Sequence, residues 1–350
     1  MAWNQMMRRT FGATLMTGLL ALVATGPASG LASAQSAAEF YRGKQLTMFV
    51  AFTTGGGYDT YARFLARHIH RHVPGDPKTV VQNMPGAGGL TLTNHLYSVA
   101  AKDGTVIGTI EPGSAFEPLW ENPAAQFDAT KFVWIGGMNS EVSTCQAWHT
   151  SPVKSLEQAR ETVMIVGGTG SSDGNYIYPK VLNEFAGTKF KLVAGYPGTN
   201  EIFLAMERGE VHGICGWFWS SILSRRADWL SSQKIVPLVQ LALEKHPNFP
   251  QVPLALDMAR TDEDRKALEL ILAPTKMGRP YIAPPGLPAD RIAALRQAFA
   301  DTMKDPGFVA DAKKVDIELN PTTGEELAAI VERIYATPKA LVQRAAQARK

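Results

Sequence analysis

Short apolar runs alternate along this chain with stretches whose apolar residues recur every three or four positions. LTMFVAF (46–52) reads as a buried strand, and from Tyr58 the residues Tyr61, Ala62, Leu65, Ile69 and Val73 keep helical spacing. TVVQNM (79–84) predicts a second strand, PGAGG (85–89) a turn into a helix over about 90–100, and VIGTIEP (106–112) a third strand. Such a succession points to βαβ units and a mostly parallel sheet. The pattern then restarts. FVWIGGM (132–138), STCQAWH (143–149), VMIVGGTG (163–170), FKLVAGYPG (190–198) and VHGICGW (211–217) read as strands. SLEQARE, NYIYPKVLNEFAG (175–187) and TNEIFLAMERGE (199–210) are the helices between them, with Gly187 a stop and Thr199 or Asn200 a cap. The last hundred residues are mostly amphipathic helix, entered through a Pro-rich connector, YIAPPGLP.

Four strand-to-helix connections are rich in Gly, Ser and Thr: TTGGGYD (53–59), EPGSAF (111–116), GGTGSSDGN (167–175) and GYPGTN (195–200). In open α/β sheets ligands bind where strands end and helices begin, because unpaired N–H groups and the positive helix end favour anions there. A nucleotide phosphate fits poorly. GGGYD lacks the Lys and Ser/Thr of a phosphate loop, and Gly168-x-Gly170 is followed by Asp173 where a third glycine is needed. Within the loops themselves cations are almost absent, which suits a small carboxylate held by backbone amides and hydroxyls. Asp59 is expected to serve as a first-turn residue rather than a ligand contact. On this reading Gly56→Val abolishes binding, since a side chain there obstructs the backbone's approach.

Composition narrows the class. The 350 residues are 45% hydrophobic and 19% charged, as in an ordinary globular protein of about two domains. Arg8 and Arg9 precede the apolar stretch Phe11–Ala24, and Ala32-Ser33-Ala34 follows, so residues 1–34 read as a signal peptide cleaved near Ala34, by general or twin-arginine export. Its removal lowers the formal net charge of +3 by two, which gives no reason to expect nucleic acid as a partner. Cys145 and Cys215 either form a disulfide, as an exported protein permits, or stay as two buried thiols. His68 and His72 have metal-ligand spacing but share a face with Arg67 and Arg71, so a solvated cationic face is expected and no metal. No nucleophile elbow and no zinc-protease motif occur, so no catalytic residue is assigned and no cofactor is expected. In GWFWSS (216–221), Trp217 and Trp219 would share one face of a continuing strand and Phe218 the other; each either packs in the core or walls a ligand.

The stretches FYRGKQLTMFVAFTTGGGYDTYAR, VVQNMPGAGGLTLTNHLYSVAAKDGTVIGTI, GYPGTNEIFLAMERGEVHGI and RPYIAPPGLPADRIAALRQAFADTMKDPGFVADAKK span nearly the whole chain after residue 34. Together they resemble the periplasmic solute receptors of the tripartite tricarboxylate transporters, also called Bug proteins. The resemblance implies a two-lobed α/β periplasmic binding protein fold of type II character, with a hinge and an interlobe cleft. One lobe would comprise 36–138 plus 251–350 and the other 139–250, with crossovers near 138–142 and 242–256. It implies a monomeric binding protein, not an enzyme, that captures a small organic carboxylate in the periplasm and delivers it to membrane transporter subunits. A receptor feeding a sensor or catabolic signal is the alternative, and an exported enzyme a more distant one. Carried over by position, first-lobe contacts would be Thr53, Thr54, Gly55, Gly56, Gly57 and Tyr58, with Gly113, Ser114, Ala115 and Phe116. Second-lobe contacts would be Thr169, Gly170, Ser171, Ser172, Asp173, Tyr196, Gly198, Thr199, Asn200, Trp217 and Phe218. Many family members have a small hydroxyl residue where Tyr58 stands and a plain polar residue in place of GWFW. These departures suit either a bulkier, more apolar acid or a filled, smaller pocket.

Overall fold

The computed structural model describes residues 36–349; the expected signal peptide lies outside them. From the N-terminal side come α1 (Ala37–Tyr41), β1 (Gln45–Val50), α2 (Gly57–Ile69), β2 (Lys78–Asn83), α3 (Leu90–Ser98), β3 (Val106–Thr109) and β4 (Val133–Gly137). The middle third holds β5 (Ser143–Trp148), α4 (Leu156–Glu161), β6 (Met164–Gly168), α5 (Gly174–Ala186), β7 (Phe190–Ala194), α6 (Thr199–Glu207), β8 (Gly213–Phe218), α7 (Trp219–Ser231) and β9 (Ile235–Leu241). Last come α8 (Asp262–Leu272), β10 (Pro280–Ala283), α9 (Ala289–Lys304), α10 (Pro306–Lys314), β11 (Thr322–Thr323), α11 (Gly324–Tyr335) and α12 (Lys339–Ala348).

Two sheets form, in the orders β11-β4-β10-β3-β1-β2 and β7-β6-β8-β5-β9. The chain leaves the first sheet after Gly137, enters the second at Ser143 and returns to the first only at Pro280. Alternation on β1 buries Leu46, Met48 and Val50 against a cluster that includes Tyr61 and Leu65 of α2 and Leu295 of α9. Each sheet is mixed, and the expectation of mostly parallel pairing does not hold. β1 pairs in parallel with β2 and β3, and β6 with β7 and β8, whereas β5 and β10 run antiparallel to both their neighbours. β5 and β10 each enter their sheet from the other one, not as the second strand of a βαβ unit, so no helical crossover sets them parallel to a neighbour. YIAPPGLP is only partly a connector. Its first three residues lie in β10, fully buried between β3 and β4, with Pro280 at the strand's first position, where a missing N–H is tolerated. α6 opens on Gly198 rather than on a Thr199 or Asn200 cap. Not all of the C-terminal stretch sits on the first half: α12 packs on α8 and α5, and Arg344 binds both Glu184 and Asp264.

Cys145 of β5 and Cys215 of β8 are joined in a disulfide between neighbouring strands, closing a loop across a sequence separation of 70. Replacing both by alanine is expected to lower the unfolding free energy by about 2–4 kcal/mol, because the open chain gains entropy. An unshifted urea midpoint would show that the link stabilises nothing.

His68 departs from its expected solvated face. It is buried beside Phe64 and Phe308, and burial, reinforced by Arg71, lowers its pKa. His72 hydrogen-bonds Asp305. Among the described residues no group of acidic, His or Cys side chains could hold a metal ion.

Candidate functional site

Four helix N-termini meet where the two halves face each other. The cleft between them is lined by Gly56 and Gly57 at the start of α2, Asp173, Gly174 and Asn175 at α5, Thr199 at α6, and Phe218 and Ser221 at α7. Aromatic rings fill most of the remainder, and Glu111, Arg225 and Arg279 complete the wall. The space among these residues, part of it open to solvent, is about 610 Å³, but only about 30 Å³ of it is wide enough for the centre of a water molecule. The halves are therefore closed on each other. Bonds across the closure include Asn200 Nδ2 to Thr54 O at 3.1 Å, Arg225 Nη1 to Thr60 Oγ1 at 2.7 Å, Thr53 Oγ1 to Glu201 at 3.3 Å, and Ser172 Oγ to the Ala87 and Gly88 carbonyls.

Arg279, just before β10, is fully buried. Its Nη2 donates to Ser221 Oγ at 2.6 Å and Ser220 Oγ at 3.0 Å and lies 3.2 Å from Glu141 Oε1. The guanidinium lies over the rings of Tyr61, Tyr58 and Phe218 at 4.1, 4.9 and 5.4 Å. Burial works against its charge, but Glu141 and the tyrosines more than offset that and hold its pKa up. Nε and Nη1 find no hydrogen-bond partner among the described residues, and neither does the phenol of Tyr58, whose ring stacks on Phe52.

The carboxylates behave differently. Asp59 is held below the usual range: burial opposes this, but Arg63, the Gly55 N–H and Asn83 outweigh it. It is the expected first-turn residue, occupied with its own loop. Glu111 and Asp173 are both buried. Burial and then the charge of Asp173 push Glu111 well above the carboxylate range, and burial pushes Asp173 up to about 6. Asp173 caps α5 and accepts from Thr169 Oγ1.

A raised carboxyl pKa favours the folded state below the unfolded value, here 3.8, and that contribution is lost as pH rises through about 6. Asp173→Asn, which can still cap the helix, is therefore expected to melt progressively higher than wild type as pH rises from 4 to 7. A melting difference independent of pH would refute the raised pKa.

Of the expected contacts, Gly56, Gly57, Tyr58, Asp173, Thr199, Trp217 and Phe218 line the cleft. Thr53, Thr54, Ser172 and Asn200 instead hold the two halves together, as does Gly170, where an added Cβ would lie 2.3 Å from Gly88 N. Gly55 N–H is taken by Asp59, and Thr169 bonds Asp173. Ser114 is buried against Glu111 and Thr93, while Ala115 O and the Phe116 ring contact Tyr335. Gly113 lines a smaller neighbouring cavity. Tyr196 packs on the cluster around Phe203, Gly198 backs onto Thr53, and Ser171 is exposed. Trp219 begins α7 and packs on Phe249, so it does not share a strand face with Trp217. A Cβ on Gly56 would meet no protein atom closer than Thr53 O at 3.6 Å, whereas one on Gly57 would come 2.1 Å from Ser221 Oγ. The cation-poor loops also misled. Arg225 and Arg279 reach the cleft from α7 and the entry to β10, and only their place in the fold marks them.

No protein-family model matches the chain. Over 92 residues it is 37% identical to Protein BugT of Bordetella pertussis, covering 26% of this chain and 28% of BugT, so the match spans little more than a quarter of that relative. Among solved structures it is similar to the periplasmic binding protein BugD, at 20% identity and a TM-score of 0.70, over 87% of this chain and 98% of that one. MatC from Rhodopseudomonas palustris with bound malate superposes with a TM-score of 0.67 at 20% identity, over 88% and 99% of the two chains. The fold is that of the two-lobed periplasmic binding proteins.

Proposed function

We propose that this protein is an extracytoplasmic receptor of the Bug type that closes on a small organic carboxylate and delivers it to a tripartite tricarboxylate-type membrane transporter. The observation that carries this reading is Arg279: a buried cation whose Nε and Nη1 donors are unpartnered, in a cleft where four helix N-termini converge. The partial likeness to BugT lends the Bug type, the periplasmic binding protein BugD lends the binding role, and the malate held by MatC lends the acid. The lobes, taken as 36–138 plus 251–350 and 139–250, would hinge at the two crossings, 138–142 and after Leu241. The present closure leaves too little room for an acid, so entry requires the lobes to part, and a ligand bound to both then favours reclosure. The proposed site of action is the periplasm, as a monomer.

A melting screen against mono-, di- and tricarboxylates tests this. An acid present at a hundred times its Kd is expected to add about 2.7 kcal/mol of stability. If no acid raises the melting temperature, the receptor reading is wrong.

A further inference from the structure

The cleft carries both signs of charge. Arg279 and Arg225 supply the positive groups. Glu111 and Asp173 face the same space, and neither has an Arg, Lys or His partner among the described residues. Glu111 accepts from the Ser114 N–H at 2.8 Å, and Asp173 takes the Thr169 hydroxyl and the Asn175 N–H. Arg349 lines the smaller cavity that Glu111 shares, but its guanidinium is committed to Glu117. Tyr58 senses both poles: its ring lies under Arg279, while Glu111 and Asp173 both act on its phenol.

We propose that the ligand is a zwitterion, an organic acid whose carboxylate takes the free N–H groups of Arg279 and whose protonated nitrogen sits between Glu111 and Asp173. This rests on the receptor reading above and specifies its substrate. Two buried carboxylates that line one cleft, with the charge of Asp173 raising the cost of ionising Glu111, favour a proton or a cation between them. A ligand ammonium provides the charge and up to three donors at once. The unpartnered N–H donors of Nε and Nη1 on a fully buried guanidinium likewise need acceptors, which a ligand carboxylate supplies. Between the poles the walls are aromatic, with Phe52, Tyr58, Trp217 and Phe218 available to an apolar body. A simple dicarboxylate matches one pole and places its second charge against the other.

The test uses matched acids differing in one amino group, with binding to the described protein measured by calorimetry: L-phenylalanine against 3-phenylpropionate, L-glutamate against glutarate, and 4-(aminomethyl)benzoate against 4-methylbenzoate. In at least one pair the amino acid is expected to bind about tenfold or more tighter, because a site built to receive N–H donors is left unpaired by the analogue. Glu111→Gln and Asp173→Asn, made singly and together, are expected to bring the ratio of the two affinities in that pair to about one, whatever happens to the affinity of either acid alone. Either single variant suffices if the double one does not melt cooperatively. Amine-free acids binding equally or more tightly in every pair would overturn the zwitterion and leave the receptor reading standing. Should no acid of either kind bind here or in the melting screen, both fall.

Discussion

Gly170→Ala is expected to weaken ligand binding by about 100-fold or more while the protein stays folded, because apparent affinity falls in proportion to the fraction of molecules able to close. A Cβ at this position would lie 2.3 Å from Gly88 N and 2.4 Å from Ala87 C. Those are backbone atoms, and the turn cannot easily yield, since Gly88 itself holds φ 66°. The contact joins the PGAGG turn of the first half to the loop after β6 in the second, so it exists only when the halves are closed. The variant should therefore show a larger radius of gyration in solution scattering and an unchanged denaturation signature for each half. Wild-type affinity in calorimetry would show that this glycine contact does not limit closure.

Arg279→Met is expected to cost about 3–5 kcal/mol of stability, the usual penalty for leaving a buried charge without its partner. Glu141, itself buried, would lose the guanidinium at 3.2 Å while keeping Ser220 and Asn139, which can donate to it but not neutralise it. Tyr58, Tyr61 and Phe218 would lose the cation over their rings. Arg279→Met combined with Glu141→Leu should recover much of the stability, since a buried pair replaced by apolar groups of similar size is often neutral. Binding should stay lost in both variants. A double variant that binds acids like wild type would remove Arg279 from the site.

Much of the architecture was legible because it rests on local periodicity. β1, α2 and the repeated βα units follow from spacing, since a half-buried strand or an amphipathic helix must place its apolar residues at its own period. β10 was hidden because a four-residue strand that opens on one proline and is followed by two more has no periodicity to show; pairing with two residues of β3 and four of β4 defines it instead. Trp219 was misplaced for a related reason: alternation stops where a helix starts, and nothing in GWFWSS marks that residue as the boundary.

At the site the division is sharper. Loop chemistry is local, so the glycine- and hydroxyl-rich connections pointed to the loops that line the cleft, Tyr58 among them. Charge balance is not local. Arg279 lies 222 positions beyond Gly57 in the chain, yet its Nη2 would be 3.1 Å from a Cβ placed there. Glu111 and Asp173 come from different halves and meet only on closure. The sequence by itself determined two α/β units, their glycine-lined helix starts and the exclusion of a phosphate loop. Only the tertiary structure decided which charges face the cleft, because Coulomb interactions act through space and depend on burial rather than on separation along the chain.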